Sequence, residues 1–394
     1  WRMSWVSSGA VQVGMVGWSL VWWWLTLLPE VSRELQLMHL TAWWPACVAL
    51  WVTVTAALMV WVAHARQWRL MGQASALAIP GWYWAALLGP AFSPLPPSAD
   101  LGWLAWPLAL CCGPWLLRRL QAWLDDSALR HLHVLGFWLM AALLCRQAHW
   151  ATDQWATPGS GWQSLCWILV PASLVLLVSS PRAAARWPLR DFAQSYRVAG
   201  ALPLVAGLVL WLLHSLVSSG RAQPLPYVPV LNPLELGQCL VVLTLVMWVR
   251  ELPASIQAQL PEGRTRLAAL GGLAWLVITT MVLRACHHWA DVPWDASALF
   301  QSKLTQASLS VVWALLGVGL MIRGHRQVQR AVWVAGAGLL GVVVGKLFFL
   351  ELADHGGLYR IISFIVVGLL LLVVGYFAPV PPDQAAERAE SEAP

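Results

Sequence analysis

Apolar runs follow one another along this chain, broken by short polar loops. A helix needs about 20 apolar residues to cross the hydrocarbon core of a bilayer. Twelve runs meet or approach that length. They are Val11–Leu28, Ala42–Ala63, Ala76–Phe92, Leu101–Leu117, Leu132–Trp150, Trp162–Val178, Val198–Val217, Leu234–Val249, Leu267–Leu283, Leu304–Ile322, Ala331–Leu350 and Ile361–Phe377. The predicted fold is all-α: a polytopic transmembrane helix bundle of about 12 spans. The third and fourth runs are short and carry Pro80, Pro90, Pro107 and Pro114. A proline inside a helix removes a backbone hydrogen bond and kinks the helix.

The loops alternate in charge. Arginines fill every second one: Arg66 and Arg69; Arg118, Arg119 and Arg130; Arg182, Arg186, Arg190 and Arg197; Arg250, Arg264 and Arg266; Arg323, Arg326 and Arg330. The loops between them hold acids instead: Glu30, Glu34, Asp100, Asp153, Glu235, Asp291, Asp295, Glu351 and Asp354. The positive-inside rule places the arginine loops in the cytoplasm. The acidic loops then face outward and both ends of this chain lie inside. The expected location is a bacterial inner membrane, crossed many times.

Composition supports this reading. Of 394 residues, 59% are hydrophobic and 11% charged, against roughly 25% charged in soluble domains. The 30 tryptophans suit a membrane–water interface. A net charge of +6 spread over short loops gives no basic face for nucleic acid. The seven cysteines (Cys47, Cys111, Cys112, Cys145, Cys166, Cys239 and Cys286) have no disulfide or zinc spacing and read as small buried hydrophobes. The chain opens on Trp1 without a signal-peptide pattern, and is expected to be a piece of something longer.

An internal echo sets the predicted domain plan. LLCRQAHWATDQW closes one apolar run and VLRACHHWADVPW closes another, four runs later. Each has an Arg, a His three residues on, then Trp, Ala, Asp and Trp. The transmembrane domain over residues 1–382 therefore reads as up to three tandem four-helix units, 1–117, 118–250 and 251–382. Residues 383–394 form an acidic tail expected to be disordered and cytoplasmic.

Polar groups concentrate at the outward ends. Arg284, His287 and His288 are spaced to share one helix face, with Asp291 following. Arg146 and His149 repeat the arrangement. Ser302, Gln306 and Ser310 make a stripe, and Lys346, Glu351, Asp354 and Arg360 lie at the same expected depth. Arginines and histidines at helix ends commonly snorkel or anchor. The functional alternative is one polar pocket at the outer leaflet for an anionic lipid headgroup or lipid-linked sugar. A metal on His287, His288 and Asp291 has too few secure ligands, so neither metal nor cofactor is expected. Gly341 and Gly345 form a small-xxx-small pair read as close helix packing.

Three stretches carry a family resemblance. LPYVPVLNPLELGQ (225–238), RACHHWADVPW (284–294) and the run from Val344 to Pro382 resemble bacterial membrane proteins of the domain of unknown function 2339 family. Lys346, Asp354, Arg360, Ser363 and Phe364 fit its K-x-F, acidic turn, R-x-x-S-F pattern, with Glu351 at the acidic position after K-x-F. The likeness covers Leu225–Pro382 well and the first half loosely. It implies a longer protein with more spans and a soluble, often coiled-coil N-terminal region, this chain being the C-terminal portion. It implies no reaction.

The leading functional expectation is a structural or assembly component of the cell envelope, touching membrane lipids and an envelope protein partner. The alternatives are an enzyme acting on a lipid-linked substrate at the outer leaflet, such as a lipid-linked glycan, and a transporter. No Walker loop, HExxH or GxSxG motif is present in the sequence. The charge alternation makes one firm prediction. Cysteines introduced at Gly159 and Asp295 will react with a membrane-impermeant thiol reagent from outside, and one at Gln327 will not. The reverse labelling would invert the topology.

Overall fold

The computed structural model describes residues 9–346 except 93 and 262, together with residues 365, 368, 369 and 372. Every regular element among them is helical. In chain order these are α1 (Gly9–Leu37), α2 (Trp44–Arg66), α3 (Arg69–Ser75), α4 (Ala78–Phe92), α5 (Gly102–Leu120), α6 (Asp126–Asp153), α7 (Gly161–Ser179) and α8 (Pro181–Ala184). Then come α9 (Leu189–Ser195), a π-helical turn (Tyr196–Gly200), α10 (Leu202–Val217), α11 (Pro233–Arg250) and α12 (Ala254–Gln257). The last are α13 (Gly263–Trp289), α14 (Ala296–Gln301), α15 (Lys303–Arg326) and α16 (Arg330–Lys346).

Seven of these, α1, α2, α6, α7, α11, α13 and α15, are long and apolar enough to cross a membrane. The pair from α9 to α10, bent by 41°, makes an eighth if it counts as one span. The expected count of about twelve is therefore not what the described residues display. The third and fourth apolar runs appear as α4, only 15 residues long, and α5, which holds two prolines and ends in Arg118 and Arg119. The eleventh is described as far as Lys346, and the twelfth lies outside the described residues.

Sequence chemistry marks where helices begin. The Asp125 carboxylate accepts from the Ala128 amide at 3.0 Å and opens α6. That bond holds its carboxyl below the usual carboxylate range. Ser160 caps α7, Asn232 caps α11 ahead of Pro233, and Ser302 caps α15. Each satisfies amides that the first helical turn leaves unpaired. Proline in the first turn has no amide to lose.

The chain divides into two compact units: residues 1–226 with 231–263, and residues 227–230 with 264–394. In the first unit the small face of α2 (Ala46, Ala49, Ala56 and Ala63) is buried, which lets neighbouring helices approach closely. Trp82, Ile79, Leu116 and Leu120 fill the space between α4, α5 and α2. Lipid tails are as apolar as leucine, so such packing stabilises through van der Waals fit more than through release of water. The outer surface is apolar too: Trp61, Trp84, Trp103 and Leu210 stand about two-thirds exposed. A helix bundle in water would bury such groups; one in lipid can present them.

Many tryptophans do more than anchor at an interface. Indole N–H groups tie Trp44 to Ser32 (3.0 Å), Trp82 to Thr53 (3.1 Å), Trp138 to the Gly200 carbonyl (2.9 Å) and Trp248 to the Arg197 carbonyl (2.7 Å). The cysteines also depart from expectation. Cys166 and Cys286 are buried, but Cys111 and Cys239 are exposed on apolar helix faces, where a small thiol is tolerated by lipid.

The second unit holds an antiparallel hairpin of α15 and α16, and glycines set its spacing. A Cβ added at Gly336 would lie 2.5 Å from the Gly317 carbonyl oxygen and 2.9 Å from the Met321 amide. A Cβ at Gly324 would lie 2.5 Å from the Trp333 amide. At Gly341 and Gly345, by contrast, nothing among the described residues lies within 4 Å. Among the described residues the close contact between the two helices therefore falls at Gly317 and Gly324 on α15 and Gly336 on α16. Gly336→Leu should lower the melting temperature and the folded yield, because backbone atoms cannot swing aside and overpacking costs about 1–3 kcal/mol. Gly341→Leu should match the parent or exceed it, since leucine is the better helix former. Equal behaviour of the two variants in a thermal melt would refute this packing.

Candidate functional site

The two echoing helix ends fold differently. In α6 the helix runs on to Asp153, so His149 and Asp153 share one face. His149 Nε2 lies 3.4 Å from an Asp153 carboxylate oxygen. The other Asp153 oxygen accepts from Gln163 Nε2 at 2.8 Å, and Gln163 Oε1 accepts from the Gly159 amide at 2.8 Å. In α13 the helix stops at Trp289, and Asp291 falls in the loop with a φ of +52°. His287 Nδ1 pairs instead with the Val292 carbonyl at 2.7 Å. The extra histidine, His288, stacks on Tyr227 with ring centres 4.6 Å apart. Pro293, two residues beyond Asp291, is incompatible with a continued helix.

Around His149 the first unit forms a half-open cavity of about 340 Å³. Trp167, Trp211, Ser164, His214 and the loop 218–220 contribute to its wall, with the first turn of α7. The His149 ring lies 4.8 Å from that of Trp167. Cys166 Sγ is 3.7 Å from His149 Nδ1. Trp211 donates its indole N–H to Ser164 Oγ at 2.9 Å and to the Ser164 carbonyl at 3.0 Å. Gly159 takes a φ of +75° in the turn before α7, a conformation that favours glycine.

The family-like stretch LNPLELGQ builds the adjoining end of α11. Asn232 accepts from the Leu234 amide at 2.8 Å and donates to the Gly220 carbonyl at 2.7 Å. Gln238, fully buried, donates to Ser215 Oγ at 2.8 Å. Gly237 lets α11 press against α7 and α10: an added Cβ would meet Trp211 at 2.8 Å and Ile168 at 2.9 Å. The N-termini of α7 and α11 both reach the cavity, through Ser160 and Leu234. Helix N-termini carry partial positive charge and favour anions. Indole walls, serine hydroxyls and two imidazoles complete a surface suited to a hydroxylated or phosphate-bearing group.

Arg146, also from the echo, donates to the Leu95 carbonyl at 2.7 Å. In the second unit Arg284 is fully buried, so its loss would remove packing as well as charge. Lys346 Nζ donates to the Gln306 carbonyl at 2.7 Å and to Ser310 Oγ at 2.6 Å. Gln306 donates its amide to the Phe300 carbonyl at 2.9 Å. Glu351, Asp354 and Arg360 lie outside the described residues. Among the described residues no group of three or more His, Cys, Asp or Glu is placed to hold a metal.

Reading the sequence alone found His149 but missed its walls. Trp167, Trp211, His214 and Ser164 come from two other helices, and no local motif joins them. The stretch at 225–238 was the one available signal.

Comparison with curated proteins and with solved structures gave no match. A family model described as "Predicted membrane protein (DUF2339)" matches residues 3–381. The likeness therefore extends well beyond the stretch after Leu225, through the tryptophan-rich first half. The chain belongs to the DUF2339 family of predicted membrane proteins across essentially its whole length.

Proposed function

We propose that this membrane protein holds the phosphate-bearing headgroup of a lipid or lipid-linked glycan at its outward-facing end. It would serve as a structural or assembly component of the bacterial inner membrane and envelope. The cavity around His149 carries this reading. It combines two histidines, four serines, two tryptophan walls and two helix N-termini in about 340 Å³, within the range of small-ligand sites. The outward orientation rests on the arginine loops. Arg146 belongs to the same end of α6, and in the second unit Arg284, His287, His288, Asp291, Gln306 and Lys346 make the corresponding proposal at the echoing end of α13, with Glu351, Asp354 and Arg360 joining them from the sequence pattern. The sequence echo supports it, since the Arg and His pairs stand near the C-terminal ends of two long helices, α6 and α13.

A second reading draws on one observation. His149 is oriented by Asp153, which is itself held by Gln163. A carboxylate-oriented imidazole is the arrangement a general base uses, here on a lipid-linked substrate at the outer leaflet.

The test is retention of phospholipid by the purified full chain, counted by native mass spectrometry. Wild type should retain a phosphate-bearing lipid, and His149→Ala combined with His214→Ala should retain about tenfold less, an effect of about 1.4 kcal/mol. Trp61→Ala, on an exposed apolar face, should retain the wild-type amount. Equal retention by all three proteins would defeat the proposal. Turnover of a lipid-linked sugar by wild type and not by Asp153→Asn would favour the second reading.

A further inference from the structure

A second cavity, about 240 Å³, lies in the first unit toward the arginine-bearing end of α6. It is independent of the His149 pocket, near the other end of the same helix. Trp82, Leu117, Gly136, Phe137 and Leu177 contribute to an apolar wall, and two polar residues interrupt it: His133 and Tyr196. His133 is 2% exposed and Tyr196 8%. His133 Nδ1 lies 2.9 Å from the Tyr196 hydroxyl. His133 Nε2 is buried and has no hydrogen-bond partner. Trp187, whose ring centre is 5.8 Å from that of His133, also has a buried indole N–H with no partner.

The proton on His133 can be placed by counting. A neutral imidazole has one donor and one acceptor nitrogen. If Tyr196 donates to Nδ1, one group is left over, the Nε2–H donor. If Nδ1 donates to Tyr196 instead, two are left over: the Nε2 lone pair and the phenol O–H. Each buried unpaired group costs about 1–3 kcal/mol, so the first arrangement prevails. The cavity then presents one buried N–H donor, on His133, and the atom that satisfies it is an acceptor oxygen.

Water fits the space poorly. A buried water needs two to four polar partners, whereas apolar cavities of about 150 Å³ stay dry and take up apolar molecules. The π-helical turn at Tyr196–Gly200 is the local device that makes room. It inserts a residue into the helix, as such turns do at many binding sites, and sets Tyr196 against His133. Gly200 permits the close approach: an added Cβ would lie 3.2 Å from Phe137. On the arginine-bearing side, the Arg118 guanidinium sits 5.6 Å from the centre of the Trp187 ring. Arg197 donates to the carbonyl of Val178, which lines the cavity, at 3.0 Å.

We propose that this cavity binds a membrane-soluble amphiphile whose apolar body fills the space and whose carbonyl oxygen accepts from His133 Nε2. A fatty acyl chain and an isoprenoid quinone share that chemistry. A diazirine-bearing palmitate and an azido-quinone, each applied to the full chain in proteoliposomes, distinguish the two sources by which one crosslinks. The adducts are mapped by peptide mass spectrometry. One or both probes should label α5, α6 or the π turn, and excess unlabelled ligand should suppress the labelling.

His133→Phe removes the donor and should reduce this labelling about tenfold. Gly136→Leu fills the cavity, and nothing among the described residues lies within 4 Å of the added Cβ. It should melt at or above the wild-type temperature and lose the labelling. Labelling of α1 from the surrounding bilayer should be unchanged in both variants. Absence of saturable labelling, or wild-type labelling of Gly136→Leu, would overturn the site. Wild-type labelling of His133→Phe would overturn the assignment of a carbonyl ligand.

Discussion

A bilayer offers the backbone no hydrogen-bond partner, and that constraint shapes everything else in this protein. Each apolar segment must satisfy its amides and carbonyls within itself, which leaves the helix as the available open-ended structure. The caps at Asp125, Ser160, Asn232 and Ser302 extend the same accounting to the helix ends. Side chains obey it as well. Serine and threonine hydroxyls fold back onto their own helices, as Thr53 does onto Ala49 at 2.7 Å. Indole N–H groups reach across to neighbouring helices. Lys346 finds a carbonyl and a hydroxyl on α15. Against that background, a buried polar atom without a partner stands out, and His133 Nε2 is such an atom.

The helix α6 organises the first unit's polar chemistry. His149 lies near one end and His133 near the other, separated by about 24 Å at 1.5 Å per residue. At the Asp153 end the surroundings are serines, a second imidazole and helix N-termini, which suit a charged or hydroxylated headgroup. At the Asp125 end the surroundings are aromatic and aliphatic, which suit an uncharged body with one acceptor. Two histidines of one helix thus serve different chemistry because different neighbours enclose them.

The sequence made the class, the charge alternation and the stronger spans legible, because a run such as Trp162–Val178 declares itself by length and hydropathy alone. The bend between α9 and α10 was hidden, since a π turn leaves no composition signal in YRVAG. The hairpin contact was hidden for another reason. A small-xxx-small search looks along one helix, whereas Gly317 and Gly336 meet across two. The echo of Arg, His and Asp was real in sequence. In α6 it led to a His149–Asp153 ion pair, whereas the α13 copy is cut short ahead of Pro293 and His287 pairs with the Val292 carbonyl. The pocket walls were illegible because Trp167, Trp211 and His214 are ordinary residues until folding brings them together.

The most direct test of the account is a density map of the protein extracted with its native lipids. The account predicts a phosphate-bearing headgroup in the pocket, within hydrogen-bonding distance of His149 or Ser164, with its acyl or prenyl chain leading into the bilayer. A well-resolved pocket containing only water, with lipids confined to the apolar outer faces around Trp61 and Leu210, would contradict it.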